Sequence, residues 1–387
     1  MSFVRPIGLV GTGFIARGFA RLVQSNPHYR IASVLTRRRP DSLADFPCDG
    51  TITNSIDELI DRSDLVVECS GDPIHATAVV DRALSAGRPV VTMDSEFHVT
   101  TGSWFVGRGL LTEAEGDQPG CLAALHEEAV AMGFRPLVYG NMKGFLDHDP
   151  TPENMRHWAD RQGFSLNQTT SFTDGTKLQI EQVLIGNGMG ATITRQGLEG
   201  PRTDDTEGAA RELAELAEEL GRPIADYVVS RGQPPGVFIA ARHQASERGA
   251  LRNIKMGDGP YYVLARNFHL CALEIIKTVN RVFAGGGILL DNSVRPSLGV
   301  VAIAKRALPR GHCIEQPIGG FDLRGEAARL DEAEDAVPIG ILKGALLRDS
   351  VEPGQVLRWS DVDIPDSLAK DIARRLQVGR RRLAVPA

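Results

Sequence analysis

The chain has 387 residues, of which 42% are apolar and 24% are charged, with a formal net charge of −6 at pH 7. These values are typical of a globular protein with two or three domains and exclude an intrinsically disordered chain. No apolar run approaches the roughly 20 residues of a membrane-spanning helix, and the basic runs are short, so we expect a cytoplasmic protein that binds neither membranes nor nucleic acid.

The first 140 residues alternate short apolar runs with amphipathic segments. The runs IGLVG, IASVL, LVVECSG and PVVTMD predict strands, and the segments between them, including residues 56–60 and the segment that begins at Pro73, predict helices. This alternation is typical of a parallel sheet with helices on both faces. We therefore predict an α/β protein whose N-terminal domain, residues 1–140, is a doubly wound Rossmann sheet.

The chain changes character after the predicted strand PLVYGNMKG. Residues 141–305 are richer in helices, polar turns and glycine, as in GNGMG and MGDGP, and they predict a central α+β domain. From residue 306 to residue 387, short β-like runs are broken by glycine and proline at near-regular spacing. That pattern predicts a small all-β domain at the C-terminus.

The segment GLVGTGFIARG joins the first predicted strand to the first predicted helix and contains a G-x-G-x-x-A pattern. In such a loop the first glycine permits the tight turn, the second lets the backbone approach a pyrophosphate, and the helix N-terminus faces the phosphates. We predict that Gly11, Gly13, Phe14 and Ile15 bind a dinucleotide. The alternative is a plain glycine turn of an α/β fold.

Arginines follow the second predicted strand, where an NAD site usually has an acid for the ribose 2′-hydroxyl group. Guanidinium groups pair with phosphate through two hydrogen bonds, so Arg37 and Arg38 favour NADP and leave NAD open. The alternative is a solvated arginine run after a strand.

Two more loops follow the third and fourth predicted strands. Ligands of parallel sheets lie at the carboxyl ends of the strands. We therefore predict that Ser70 and Gly71, in one loop, and Asp94 and Glu96, in the other, border the nicotinamide half of the cofactor. An equal alternative for Asp94 and Glu96 is that they cap the helix that follows.

The segment SFTDGTKLQIEQ, residues 171–182, contains acids and an amine at regular spacing. If the segment forms one helix, Asp174, Lys177 and Glu181 lie on one face. That face is either a solvated ladder of ion pairs or a catalytic row. Ser171 and Asp174 also match an S-x-x-D capping box, which would orient the helix without any chemistry.

The order of the motifs resembles a known group of enzymes. The segments GTGFIARG, VVTMDSEFHVTTG, GNMKGF, FTDGTKLQIEQ, KMGDGPYYVLARNFHL and GALLRDSVEPGQVLRWSDVDIP are similar to the homoserine dehydrogenase-like oxidoreductases with a C-terminal SAF-type domain. The nearest branch is the 1-deoxy-D-xylulose 5-phosphate reductoisomerase-like enzymes, which belong to isoprenoid biosynthesis. The resemblance covers nearly the full length and implies an NADP-dependent homodimer or homotetramer with a Rossmann domain, a central catalytic and dimerisation domain, and an SAF-like module.

Hydride transfer from a dihydronicotinamide to a carbonyl leaves an oxyanion that a cation or an acid must stabilise and protonate. We predict that Lys177 is the group at the reacting oxygen and that Lys143, in the turn after PLVYGN, is a second cation for a substrate phosphate. Asp174 and Glu181 are predicted to accept hydrogen bonds from substrate hydroxyl groups or to hold Mg²⁺ or Mn²⁺, which would stabilise the enediolate of a reductoisomerase reaction.

Three other positions are candidates for substrate contacts. Asn187 in GNGMG and Lys255 in KMGDGP lie in glycine-rich stretches, which present backbone N–H groups or a cation to a phosphate or are simply turns. His269 lies in an apolar segment, where a histidine packed in the core is the alternative.

Together these patterns predict an NADP-dependent oxidoreductase that acts on a small, phosphorylated hydroxy-carbonyl compound, with a reductoisomerase-like reaction as the leading case. One alternative is a simple interconversion of alcohol and aldehyde, as in homoserine dehydrogenase. The other is a non-catalytic nucleotide-sensing or ligand-binding protein.

Overall fold

The computed structural model describes residues 4–232 and 234–384. Its first elements are β1 (Arg5–Val10), α1 (Phe14–Gln24), β2 (Tyr29–Leu35), β3 (Thr51–Thr53), α2 (Ile56–Asp61), β4 (Leu65–Glu68), α3 (Pro73–Ser85), β5 (Val90–Thr92), α4 (Ser95–Thr100), β6 (Leu111–Glu113) and α5 (Gln118–Ala131). They are followed by β7 (Arg135–Lys143), α6 (Pro152–Gln162), α7 (Leu166–Thr173), α8 (Thr176–Met189), α9 (Thr206–Glu219), β8 (Ile224–Val229), β9 (Gly236–Arg242), α10 (Arg248–Asn253), β10 (Tyr261–Arg266) and α11 (Ile275–Phe283). The last elements are β11 (Leu298–Ala304), β12 (Cys313–Ile314), β13 (Leu323–Arg329), β14 (Ala345–Leu347), β15 (Val362–Asp363) and α12 (Leu368–Ala384).

The chain divides into two compact units, neither of which is a continuous stretch of sequence. The first unit comprises Met1–Gly120, Leu270–Val294 and Asp366–Ala387, and the second comprises Cys121–His269 and Arg295–Pro365. The boundaries predicted at residues 140 and 305 stay predictions. Among the described residues, no helix is long and apolar enough to cross a membrane.

The first unit contains a six-stranded parallel sheet in the order β3-β2-β1-β4-β5-β6. This is the strand order of a Rossmann fold and confirms the predicted N-terminal architecture. Side chains alternate between the two faces of a strand, so β4 contributes Leu65 and Val67 to one apolar core and Val66 to the other. Both faces are buried, which explains why the strands read as continuous apolar runs.

The two returning segments of this unit cover opposite faces of the sheet. Helix α11 places Ile275 and Val279 in the core that contains Leu65, whereas α12 places Ile372 in the core that contains Val66. Helix α12 was not predicted, because the glycine- and proline-rich stretch before it indicates β structure to the end of the chain.

The second unit is built on a mixed four-stranded sheet in the order β10-β9-β7-β8, in which β7 and β8 are parallel and the other pairs are antiparallel. Helix α9 covers one face, where Leu213 packs with Val138 and Met142 of β7. The intervening residues of β7, Asn141 among them, point to the opposite face, where α8 packs.

Two small antiparallel sheets, β11-β13 and β12-β14-β15, complete the second unit. They confirm the predicted β structure near the C-terminus. The sheet β11-β13 packs against α8, so α8 is covered on several sides and its residues 176–187 are all buried.

Residues 171–182 do not form the single helix that a row of Asp174, Lys177 and Glu181 on one face requires. Helix α7 ends at Thr173, Asp174 is its C-cap, and Gly175 adopts a φ of +85° before α8 begins at Thr176. A backbone with positive φ favours glycine and interrupts a right-handed helix.

The predicted capping box at Ser171 is also wrong. Ser171 lies inside α7, where its hydroxyl group donates to the carbonyl oxygen of Gln168. The capping box that does form starts α7 and consists of Ser165 and Gln168.

Acidic side chains are buried at the carboxyl edge of the parallel sheet. Glu68, at the end of β4, and Asp94, after β5, are both fully buried. Glu68 Oε1 accepts a hydrogen bond from the backbone N–H of Ser70 at 2.8 Å. Burial raises the pKa of Glu68 to about 7.

We expect Glu68→Gln to flatten the pH dependence of stability. A carboxyl group whose pKa is raised by folding stabilises the native state fully below its usual pKa of 4.5, and this contribution is lost as the pH rises toward 7. The melting temperature of the wild type should therefore fall from pH 5 to pH 8 by more than that of the glutamine variant. Asp61→Asn, at an exposed position in α2, should follow the wild-type curve. A Glu68→Gln curve parallel to the wild type would show that Glu68 is ionised throughout.

Candidate active site

The glycine loop between β1 and α1 has the geometry that a pyrophosphate needs. Gly11 adopts a φ of +99°, and a Cβ atom there would lie 2.8 Å from the carbonyl oxygen of Cys69, so the position requires glycine. Gly13 is the N-cap of α1, and a Cβ atom there would meet no described atom within 4 Å. The space at the start of α1 is therefore open to a ligand. The first N–H groups of a helix and its dipole suit an anionic group at such a place.

The next two positions of the loop differ in exposure. The Phe14 side chain is 55% exposed, whereas Ile15 is partly buried and packs on the core. Ala16 is fully buried, which agrees with the need for a small residue where the helix approaches the strand.

The two arginines after β2 have different surroundings. Arg37 Nη1 lies 2.6 Å from Asp72 Oδ2, and Asp72 also accepts hydrogen bonds from the first N–H groups of α3. Arg38 is exposed, and its carbonyl oxygen accepts a hydrogen bond from Asn54 Nδ2 at 2.9 Å. The guanidinium group of Arg37 is thus held by the carboxylate of Asp72. The backbone of Arg38 is held by Asn54, and the Arg38 side chain is exposed.

The loops after β4 and β5 lie at the carboxyl edge of the sheet. Ser70 follows the buried Glu68, and Gly71 adopts a φ of +64°. Asp94 Oδ1 accepts a hydrogen bond from the N–H of Phe97 at 3.0 Å, so the capping alternative is confirmed for Asp94. Glu96 lies in the first turn of the same helix. Contacts of Ser70, Gly71, Asp94 and Glu96 with a cofactor stay predictions.

In the second unit, polar side chains of β7 and α8 form a buried cluster. Asn141 Nδ2 donates to Glu181 Oε2 at 2.8 Å, and Lys143 Nζ lies 3.4 Å from the same oxygen. Asn141 and Glu181 are 0% and 4% exposed, and Lys177, one turn before Glu181 on α8, is 9% exposed. We call Asn141, Lys143 and Glu181, which these contacts join, the polar cluster, and we include Lys177 because of its place one turn before Glu181 on α8. The solvated ladder is therefore wrong as an interpretation of residues 177 and 181.

Asn141 was not predicted as a site residue, although its position in the sequence carries a signal. Asn141 precedes Lys143 by two residues in a predicted strand, and residues two apart on a strand point to the same face.

Asp174 forms an ion pair with Lys305, which is not a residue of the polar cluster. Its Oδ2 lies 2.6 Å from Lys305 Nζ, and its Oδ1 accepts a hydrogen bond from Thr176 N at 2.8 Å. Burial raises the pKa of Asp174, and the neighbouring Lys305 ammonium acts in the opposite direction. The predicted geometry, with Asp174 on one helix face with Lys177 and Glu181, is therefore wrong because the chain turns at Gly175, and a catalytic function of Asp174 stays a prediction.

Metal binding by Asp174 and Glu181 stays a prediction, and their carboxylates have different partners, Lys305 for Asp174 and both Asn141 and Lys143 for Glu181. In residues 4–232 and 234–384 there is no group of three or more His, Cys, Asp or Glu side chains that could hold a metal ion.

The predicted substrate residues lie in three different settings. Asn187 Oδ1 accepts hydrogen bonds from the N–H groups of Ser297 and Leu298 at 3.0 and 2.9 Å, and its Nδ2 donates to Leu298 O at 3.0 Å. Asn187 thus joins α8 to β11, which is a structural function. Lys255 is exposed after α10 and His269 is partly buried, and their substrate contacts stay predictions.

A second polar pair lies on the same face of β7. The hydroxyl group of Tyr139 is 2.8 Å from Nδ1 of His126. Burial raises the pKa of Tyr139 and lowers that of His126, so both groups are uncharged at neutral pH. No sequence pattern links Tyr139 to His126, because helix α5 and strand β7 meet only in the folded chain.

Two segments of the chain match models of known protein families. Residues 11–100 match "Homoserine dehydrogenase, NAD binding domain", and residues 116–275 match "Oxidoreductase DRL, catalytic domain". No curated protein sequence matches the chain.

Several solved structures are similar to the chain at low identity. A homoserine dehydrogenase from Thiobacillus denitrificans is 13% identical, with a TM-score of 0.48 over 92% of this chain and 99% of that one. A myo-inositol dehydrogenase from Corynebacterium glutamicum is 14% identical, with a TM-score of 0.45 over 74% of this chain and 90% of that one. A probable dehydrogenase from Thermotoga maritima is 13% identical, with a TM-score of 0.42 over 72% and 89% of the two chains. These low values carry no information on substrate or mechanism.

Each of the two family matches contains one part of the candidate active site. The glycine loop and the arginines after β2 lie within the NAD-binding match, and the polar cluster lies within the catalytic match. The match to an oxidoreductase catalytic domain favours an enzyme over a non-catalytic sensor. The protein is an NAD(P)-dependent oxidoreductase with a homoserine dehydrogenase-like NAD-binding domain and an oxidoreductase catalytic domain.

Proposed function

We propose that the protein uses NADPH to reduce the carbonyl group of a small, phosphorylated hydroxy-carbonyl compound, with a reductoisomerase-like reaction on 1-deoxy-D-xylulose 5-phosphate as the specific case. The observation that carries the proposal is the buried polar cluster within the oxidoreductase catalytic domain. Lysine is rarely buried unless it is paired, and polar groups that lie in a protected place and can hold or release a proton are characteristic of active sites.

The nicotinamide cofactor, when bound at Gly11 and Gly13, supplies the hydride. The side chains of the catalytic domain then have to neutralise the oxygen that gains negative charge. We assign this task to Lys177, whose Nζ donates a proton to the substrate oxygen.

Lys143 serves as the second cation of the polar cluster. Glu181 Oε2 accepts hydrogen bonds from both Asn141 and Lys143, so it fixes the direction of the Lys143 ammonium group relative to β7. An ammonium group held in this way pairs with a substrate phosphate or with adjacent hydroxyl oxygens.

A reductoisomerase must also rearrange the carbon skeleton before the hydride is transferred. We assign stabilisation of the intermediate enediolate to Lys143 and Lys177. A divalent metal ion would be held through one or two carboxylates and substrate oxygens, and the assay below tests the dependence on Mg²⁺ or Mn²⁺.

A simple interconversion of alcohol and aldehyde is the second candidate. The match of residues 11–100 to the NAD-binding domain of homoserine dehydrogenase favours it. Both candidates use the same cofactor and the same proton donor, and they differ in whether the carbon chain of the substrate is rearranged.

The preference for NADP is supported by the arginines after β2. Asp72 is an acid close to these arginines. Its carboxylate already forms an ion pair with Arg37 and accepts hydrogen bonds from the first N–H groups of α3. Arg38 is exposed beside it. A guanidinium group in this position pairs with a 2′-phosphate better than with a 2′-hydroxyl group.

The wild-type enzyme should oxidise NADPH in the presence of 1-deoxy-D-xylulose 5-phosphate, and the product should have a rearranged carbon chain. The assay follows absorbance of the reduced nicotinamide, with and without Mg²⁺ or Mn²⁺, and mass spectrometry and NMR identify the product. Aspartate semialdehyde and tetrose and pentose phosphates are run in parallel. Reduction without rearrangement would establish the second candidate, and no oxidation of NADPH with any carbonyl would contradict both.

We expect Lys177→Met to lower kcat by roughly 100-fold or more, because a positioned proton donor contributes at least that much. The KM for NADPH should stay within about threefold of the wild type, since the loop at Gly11 and Gly13 is untouched. Lys343→Met, at an exposed position of the second unit, is the matched control and should leave kcat unchanged. A normal kcat for Lys177→Met would show that another residue donates the proton.

Substitution of Arg38 should change the cofactor preference and leave the fold intact. Arg38→Ala should raise the KM for NADPH by roughly 10- to 100-fold, the value of one or two charge-assisted hydrogen bonds, while the kinetics with NADH stay constant. Arg30→Ala is the control, because Arg30 is exposed near the opposite end of the same strand. Equal efficiencies with NADPH and NADH in the wild type would overturn the assignment of NADP.

A further inference from the structure

A lysine outside the catalytic match is buried next to helix α8. Lys305 directly follows β11, and its side chain is 1% exposed. Its Nζ lies 2.6 Å from Asp174 Oδ2 and 2.9 Å from the carbonyl oxygen of Gly320. A buried charge is strongly destabilising without a partner, so Lys305 and Asp174 depend on each other.

Asp174 lies between helices α7 and α8 and is hydrogen-bonded to both. Its N–H donates to Thr170 O of α7 at 2.8 Å, and its Oδ1 accepts from the N–H of Thr176, the first residue of α8, at 2.8 Å. Its second carboxylate oxygen is bound to Lys305. Asp174 therefore connects the end of α7, through its backbone N–H group, with the start of α8 and with Arg295–Pro365, which we call the C-terminal β segment.

The same β segment holds α8 at further points along one face. Thr176 Oγ1 accepts a hydrogen bond from the N–H of Gly325 at 2.9 Å, and Gln179 Oε1 accepts one from the N–H of Ala327 at 2.8 Å. These bonds join α8 to strand β13, and they fix the helix both along its axis and in rotation.

The neighbouring face of α8 carries the proposed chemistry. Lys177 directly follows Thr176, and Glu181 lies one turn further on. Because Lys177 is in the first turn, a shift of the helix start moves its ammonium group more than it moves Glu181. A displacement of about 1 Å at a reacting group can lower a rate by roughly 100-fold.

We propose that Asp174 and Lys305 are a positioning pair for catalysis. Their ion pair fixes the first turn of α8 and therefore the position of Lys177 Nζ. In this way Lys305 of the C-terminal β segment affects the rate of the proposed reaction. The catalytic part of this inference rests on the proposed function of Lys177, whereas the hold on α8 rests on the contacts alone.

The test compares Lys305→Met, Asp174→Asn and the double variant with the wild type. Each single variant leaves one buried group without its counter-charge, so it should lower the melting temperature. The double variant removes both charges and should recover much of that loss. The proposal expects kcat of the double variant to remain at least tenfold below the wild type, with an unchanged KM for NADPH and a shifted pH profile of kcat. A double variant with wild-type kcat and pH profile would show that the pair serves stability only.

Arg348→Met is the matched control, because Arg348 forms an exposed ion pair with Asp363 in the same β segment, with the two side chains 52% and 62% exposed. It should leave the melting temperature, kcat and hydrogen exchange at wild-type values. A loss of kcat in this variant would mean that any perturbation of the segment reaches the active site, which would contradict a specific function for Lys305.

A second measurement needs no substrate. Hydrogen–deuterium exchange of the amides of residues 177–180 should be at least tenfold faster in the double variant than in the wild type. Labelling with trinitrobenzenesulfonate should modify Lys177 faster, with Lys143 as the internal reference. If the wild type reduces no carbonyl compound, the proposed function fails, and exchange and labelling still decide whether the pair holds α8. Faster exchange with a normal kcat would overturn the positioning proposal and leave the proposed function standing.

Discussion

Burial of charge along helix α8 is the constraint on which the second unit depends. Residues 176–187 are all buried, so each ionised group near them must have a partner close by. Glu181 receives hydrogen bonds from Asn141 and Lys143 on one side, and Asp174 pairs with Lys305 at the start of the helix. These pairings fix the helix between the mixed sheet and the C-terminal strands, and they hold the proposed catalytic groups in one geometry.

In the first unit the corresponding constraint is backbone conformation. A positive φ at Gly11, its close approach to Cys69, and the open space at Gly13 leave the first amides of α1 directed at an anionic ligand. The buried acids at the carboxyl edge then order the loops on that side, since Glu68 holds Ser70 and Asp94 caps α4. The predicted cofactor contacts of the first unit are thus mainly main-chain groups, whereas the polar cluster of the second unit consists of side chains.

Several parts of the candidate site could be predicted from the sequence because their signals are local. The glycine spacing at residues 11–16 describes one loop, and the strand pattern before Lys143 places that lysine at a strand end. The row of Asp174, Lys177 and Glu181 failed because it assumed helical geometry across Gly175, whose positive φ ends that geometry. Asn187 was assigned to substrate from its glycine-rich surroundings, although its amide joins α8 to β11.

The sequence by itself determined the period of the strands, the Rossmann alternation and the position of the glycine loop between β1 and α1, because these depend on contacts between near neighbours in the chain. Only the tertiary structure decided which charges are paired. Lys143 and Glu181 are 38 residues apart and Asp174 and Lys305 are 131 apart, and no periodicity connects such positions. The same holds for α11 and α12, which return to opposite faces of the first sheet because the apolar surface of each face must be covered.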